Sequence, residues 1–137
     1  MTIEWLLSAV VTDYKANGRR AVAEVDRYKA RLAAYFGPDR DAATLSADEI
    51  DVYAESRRKE GAAVGTVNRE LSCLRRGLRL AHQKGRLQAV PHVAVSAEHN
   101  VRTGFFEEHE VKALLGATAP DMALLCNFLY LTGWRTG

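Results

Sequence analysis

The chain is poor in the features that define several protein classes. It has only two cysteines, Cys73 and Cys126, far apart inside helical patterns. They suit reduced thiols in a cytosolic protein rather than a disulfide framework. No apolar run reaches the ~20 residues that a bilayer-spanning helix needs. The longest, Met122 to Leu131, is broken by Asn127. The apolar stretch from Trp5 to Val11 follows Glu4 instead of a basic cluster, so it does not read as a signal peptide. There is no internal repeat, no low-complexity tract and no strong run of strands. A glycine-rich phosphate loop, paired catalytic carboxylates and a Ser-His-Asp arrangement are also missing. His82, His92 and His99 lack the close paired spacing of a zinc site, so neither a metal nor a cofactor is expected.

What is present suits a folded helical protein. With 137 residues, 47% hydrophobic and 26% charged, the chain can form one domain, or one domain and part of another. Its net charge of +2 hides an uneven distribution. Residues 1–63 carry 10 bases and 11 acids, residues 64–86 carry six bases and one acid, and residues 87–137 carry three bases and five acids. The positive field is concentrated in one segment.

Helical periodicity recurs along the chain. Ile3, Trp5, Leu6, Val10 and Tyr14 share one period, with Thr2 as the N-cap and Gly18 beyond the end. A second helix spans about 21–36, carries Val22, Val25, Tyr28, Leu32 and Tyr35, and stops at Gly37-Pro38. A third opens at Ser46, whose spacing to Glu49 predicts a capping box, and buries Ile50, Tyr53 and Ala54 before Gly61. The fourth runs from Val64 or Thr66 to Gln83 and ends at Gly85. Its stripe of Val67, Leu71, Leu74, Leu78 and Ala81 must be buried. Residues 87–104 lose the period and suggest an extended connection, with Val93 and Val95 in a short strand. A fifth helix begins near Glu107. A sixth begins at Pro120, and its near-continuous apolar character implies burial on several sides. The expected fold is all-α.

The fourth helix also has a basic side. Thr66, Asn68, Arg69, Ser72, Arg75, Arg76 and Arg79 precede Lys84, and Glu70 is the only acid among them. A merely solvated face normally mixes signs. Arginines on one face can neutralise phosphates, and Asn68 can reach an adenine edge. Arg19 and Arg20, before the second helix, are weaker candidates for phosphate contacts.

Read in order, these pieces resemble a known family. The run Gly65-Thr66-Val67-Asn68-Arg69-Glu70-Leu71-Ser72-Cys73-Leu74-Arg75-Arg76, continuing to Ala81-His82-Gln83-Lys84-Gly85, resembles the fourth helix of the core-binding domain of phage-integrase-type tyrosine recombinases. Phe105-Phe106-Glu107-Glu108-His109-Glu110-Val111 with Leu114-Leu115 is similar to the start of that family's catalytic domain. Glu107 departs from the usual Ser or Thr cap. Leu131-Thr132-Gly133-Trp134-Arg135 resembles the first catalytic box, Thr-Gly-x-Arg.

The resemblance implies a four-helix SAM-like core-binding domain over 1–90, a linker over 91–104 and the first two helices of a catalytic domain over 105–137. It implies double-stranded DNA as partner, no membrane, a cytoplasmic location and, for full-length members, tetramers on DNA. Arg135 is then a catalytic arginine that stabilises phosphate charge without metal. The lysine, the His-x-x-Arg box and the tyrosine nucleophile of the family are not among these residues. His99 to Arg102 precedes Arg135, and Tyr130 lies on a helix expected to be buried. The 137 residues are therefore expected to bind DNA without cutting it. A stand-alone DNA-binding regulator, or a helical module whose basic face meets an acidic protein, are the other readings of the same residues.

Overall fold

The computed structural model describes residues 1–98, 104 and 106–134. The chain divides into two compact units, residues 1–98 and 99–137. The described residues form six α-helices and one short 3₁₀ turn, and no strands: α1 (Ile3–Ala16), α2 (Val22–Phe36), the turn Ala42–Thr44, α3 (Ala47–Lys59), α4 (Val64–Gln83), α5 (Glu108–Gly116) and α6 (Pro120–Thr132). The fold is all-α.

Local chemistry sets the helix boundaries. Thr2 Oγ1 accepts the Trp5 amide at 3.2 Å and starts α1. Ser46 and Glu49 make the reciprocal capping box of α3, in which Glu49 Oε2 accepts the Ser46 amide at 3.0 Å. Glu49 also pairs with Arg40 at 2.8 Å. The Arg40 and Ser46 hydrogen bonds hold the Glu49 carboxyl at about 2, well below its usual 4.5. Gly37, with φ of 88°, takes a conformation that a side chain resists and so ends α2.

In the first unit, α4 packs against α1, α2 and α3. Its stripe of Val67, Leu71, Leu74, Leu78 and Ala81 is buried against Ile3, Leu6, Leu7 and Val10 of α1, Val25, Leu32 and Phe36 of α2, and Ile50 and Tyr53 of α3. Each leucine so enclosed contributes about 1.5–3 kcal/mol relative to exposure. Gly77 brings the backbones of α4 and α1 together: a Cβ there would sit 3.1 Å from the Leu6 carbonyl oxygen and closer still to Leu6 Cδ2. Cys73 lies in this core, where burial pushes its thiol up to about 12.

The segment after α4 has neither helix nor strand among its described residues, as its lost period suggests, and it packs on the first unit. Leu87 and Val93 are buried in the core of the first unit, and residues 91–98 belong to that unit. Val93 and Val95 form no strand; Val93 points inward and Val95 is exposed. Leu87 and Val93 anchor the segment, without a ladder of backbone bonds.

In the second unit α5 packs against α6. The Glu107 amide donates to Glu110 Oε2 at 2.9 Å, so an acid serves the first turn of α5. The apolar surface of α6 stays largely uncovered. None of its residues is buried, and Leu124 and Leu131 are each 74% exposed. Tyr130, expected on a buried helix, is exposed as well. The physical reason is supply of partners: α5, nine residues long, is the helix that packs on α6 among the described residues, and it covers little of an apolar cylinder.

Candidate nucleic-acid interface

The polar side of α4 is assembled by four-residue spacing. Ser72, Arg75, Arg76, Arg79 and Gln83 follow one another along the helix. With Asp13 and Tyr14 of α1, and Arg19 of the following turn, they line a groove of about 450 Å³. Arg19, a weaker candidate by its place before α2 in the sequence, is brought by the fold onto the same groove as Arg75 and Arg79.

The cations in this groove are not equivalent. Asp13 Oδ2 accepts from Arg76 Nε at 2.8 Å and pairs with its terminal nitrogen at 2.6 Å, so Arg76 is fixed and largely neutralised. The Arg19 guanidinium lies over the Tyr14 ring at 4.9 Å, which orients it without removing its charge. Arg75 and Arg79 have no acidic partner among the described residues. Three guanidinium groups, Arg19 and Arg79 exposed and Arg75 half-buried, therefore line one groove without an acidic partner among the described residues.

The acid of α4 is turned away from them. Glu70 is 3% exposed and faces α3. Its Oε2 accepts the Tyr53 hydroxyl at 2.6 Å and Arg57 Nε at 3.0 Å, and its Oε1 accepts a terminal Arg57 nitrogen at 3.0 Å. Burial, then the bond to Glu70, raises the Tyr53 hydroxyl far above its usual range. The Glu70 hydrogen bond raises Arg57. The ion pair is satisfied internally and adds no negative field to the groove.

A larger hollow, about 640 Å³, lies between α2 and α3 and holds Arg27, Arg31 and Arg57. Each of these arginines already has an acid: Glu24 at 3.4 Å, Glu60 at 3.6 Å and Glu70 at 3.0 Å respectively. Size therefore does not select the better anion site; uncompensated charge does.

The remaining sequence candidates are distributed. Arg69 is exposed and, with Ser72, borders a second hollow beside Tyr14 and Tyr28. Thr66 is half-buried in the first turn of α4, and Arg20 is exposed in the turn before α2. Lys84 lies beyond α4, near Trp5. Asn68, which the sequence offers for an adenine edge, is held inside the first unit. It is 5% exposed, and its amide is committed to the segment after α4. Its Nδ2 donates to the Ser96 carbonyl at 2.9 Å and to Glu98 Oε1 at 2.7 Å, and its Oδ1 accepts the Ser96 amide at 3.1 Å. Arg135 lies outside the described residues, as do His99 to Arg102. Of the box before Arg135, Thr132 ends α6 and Gly133 takes a left-handed C-cap with φ of 67°.

Asp13 and Tyr14 were missed as groove residues. Only the packing of α1 on α4, across a sequence separation of 63 for the Asp13–Arg76 pair, reveals them. No protein-family model, curated protein or solved structure gives a significant match to this chain. Among the described residues no helix is long and apolar enough to cross a membrane.

Proposed function

We propose that the chain binds double-stranded DNA through the α4 groove, as the N-terminal part of a site-specific tyrosine recombinase. In this reading residues 1–90 are the four-helix SAM-like core-binding domain, and α5 and α6 open the catalytic domain. Arg135 then supplies a guanidinium to the scissile phosphate, where its planar fork suits two oxygens. The observation that carries the DNA reading is the segregation of charge on α4. Arg75 and Arg79 line the groove beside Arg19 without acid partners among the described residues, while Glu70 is spent on Arg57 and Tyr53. The order of the sequence motifs along the chain supports the recombinase assignment.

Phosphate contact releases condensed counterions, so the salt dependence of binding counts the contacts. Fluorescence anisotropy of labelled duplex at several salt concentrations should give a steeper log K against log salt for the wild type than for Arg75→Ala/Arg79→Ala. The slope should fall by about 0.9 for each contact removed. Arg27→Ala/Arg31→Ala, on the hollow whose arginines are already paired, should leave the slope unchanged. An equal slope in wild type and the Arg75/Arg79 variant counts against the groove. Retention on an acidic protein with no binding to duplex would favour a protein-interaction module instead.

A further inference from the structure

The cationic row does not end with α4. Arg86 lies with its guanidinium carbon 4.4 Å from the centre of the Trp5 ring, and Lys84 Nζ lies 5.9 Å from it. Both side chains are exposed, and neither has an acidic partner among the described residues. The nearby acid of α1, Glu4, is committed to Lys29 at 2.6 Å. Trp5 is half-buried against the core, so its ring is a platform on which two exposed cations rest. A cation over an indole face keeps its full charge while losing side-chain freedom, which lowers the entropic cost of meeting an anion.

This cluster adjoins the groove. Leu80 and Asp13 border both the groove and the hollow in front of Trp5. Arg75 and Gln83 are separated by about 12 Å of helical rise, and the turn bearing Lys84 and Arg86 prolongs the row past that. One DNA strand presents a phosphate about every 3.4 Å of axis, so the row is long enough for several consecutive phosphates. Asp13 sits between the two cation groups, but it is occupied by Arg76.

We infer that Trp5, Lys84 and Arg86 form a second phosphate-docking point, continuous with the α4 groove, that extends the duplex footprint past the end of the helix. This rests on the DNA reading above. It adds Trp5 and Arg86 to the interface and gives Lys84 a defined place in it.

The test uses the full chain with Trp134→Phe, which leaves Trp5 as its one tryptophan. Titration with duplex DNA should change Trp5 emission, and Lys84→Ala/Arg86→Ala should lower the salt slope by up to about 1.8, at about 0.9 per contact. Both substituted side chains are exposed, and far-ultraviolet circular dichroism should confirm unchanged helix content. If Arg75→Ala/Arg79→Ala lowers the slope but Lys84→Ala/Arg86→Ala does not, the second docking point is refuted and the groove stands. If the slope falls while Trp5 emission stays constant, the cations bind DNA without the tryptophan and its assignment is overturned. If neither double variant alters the slope, the DNA reading fails and the inference with it.

Discussion

Gly77 of α4 leaves no room for a methyl group against Leu6 of α1. A Cβ at position 77 would meet the Leu6 carbonyl oxygen at 3.1 Å and collide with Leu6 Cδ2. Alanine is ordinarily favoured over glycine in a helix by up to about 1 kcal/mol. Here overpacking should reverse the sign, and Gly77→Ala should destabilise the chain by about 1–3 kcal/mol in urea unfolding. Because the side-chain part of the clash is with Leu6, Leu6→Ala/Gly77→Ala should cost less than the sum of the two single changes.

The buried pair between α3 and α4 gives a graded series. Tyr53→Phe removes one donor to Glu70 and should cost about 1 kcal/mol. Glu70→Ala removes two hydrogen bonds from Arg57 but leaves its 2.6 Å pair with Glu60, and should cost more than Tyr53→Phe, about 1.5–3 kcal/mol. Urea midpoints should follow that order, and a smaller loss for Glu70→Ala than for Tyr53→Phe would contradict the network.

Asn68 holds the segment after α4 through both amide atoms. In the wild type, residues 91–98 should resist brief protease treatment. In Asn68→Ala the Ser96 amide should exchange its hydrogen markedly faster and cleavage within 91–98 should appear, while α4 stays protected. Arg58→Ala, which removes only the 3.1 Å bond to Ser96 Oγ, should have a smaller effect. Equal exchange at Ser96 in wild type and Asn68→Ala would show that Val93 alone anchors the segment.

Glu49 predicts a pH window. Its carboxyl titrates at about 2 in the folded chain and near 4.5 without these contacts. A depressed folded value means that the folded chain holds the proton less tightly, so the contribution is complete above about 4.5 and declines toward 2. The difference in urea midpoint between wild type and Glu49→Gln should be constant near neutral pH and shrink as pH drops through that window. A difference that grows on acidification would reverse the assignment.

Helix ends were legible in the sequence because their determinants are local. Thr2, the Ser46–Glu49 pair and the Gly37-Pro38 stop act within a few residues of the backbone they cap. The apolar stripe of α4 was legible for the same reason. The inward turn of Glu70 was available too: it lies three residues after Val67 and four before Leu74, on the buried side of the helix. Counting it only as an acid among bases hid that. The burial of Asn68 was not legible, because its partner, Ser96, sits 28 residues away in a stretch without periodicity. The Asp13–Arg76 pair was invisible for a similar reason. Hydrophobicity alone reports the preference of α6 for cover and not what stands beside it.

Cys73 offers a built-in clock for the motions of the first unit. With its thiol raised to about 12 and its side chain enclosed, only on the order of one chain in 10⁵ carries the reactive thiolate at neutral pH. An alkylating reagent must therefore wait for the helices around α4 to part, and the rate at which Cys73 is tagged measures how often they do. Cys126, half-buried on α6, provides a second thiol in the same tube for timing the reagent itself. Any substitution that loosens α1 from α4 should then register as faster tagging at position 73, long before the equilibrium population of unfolded chain becomes visible.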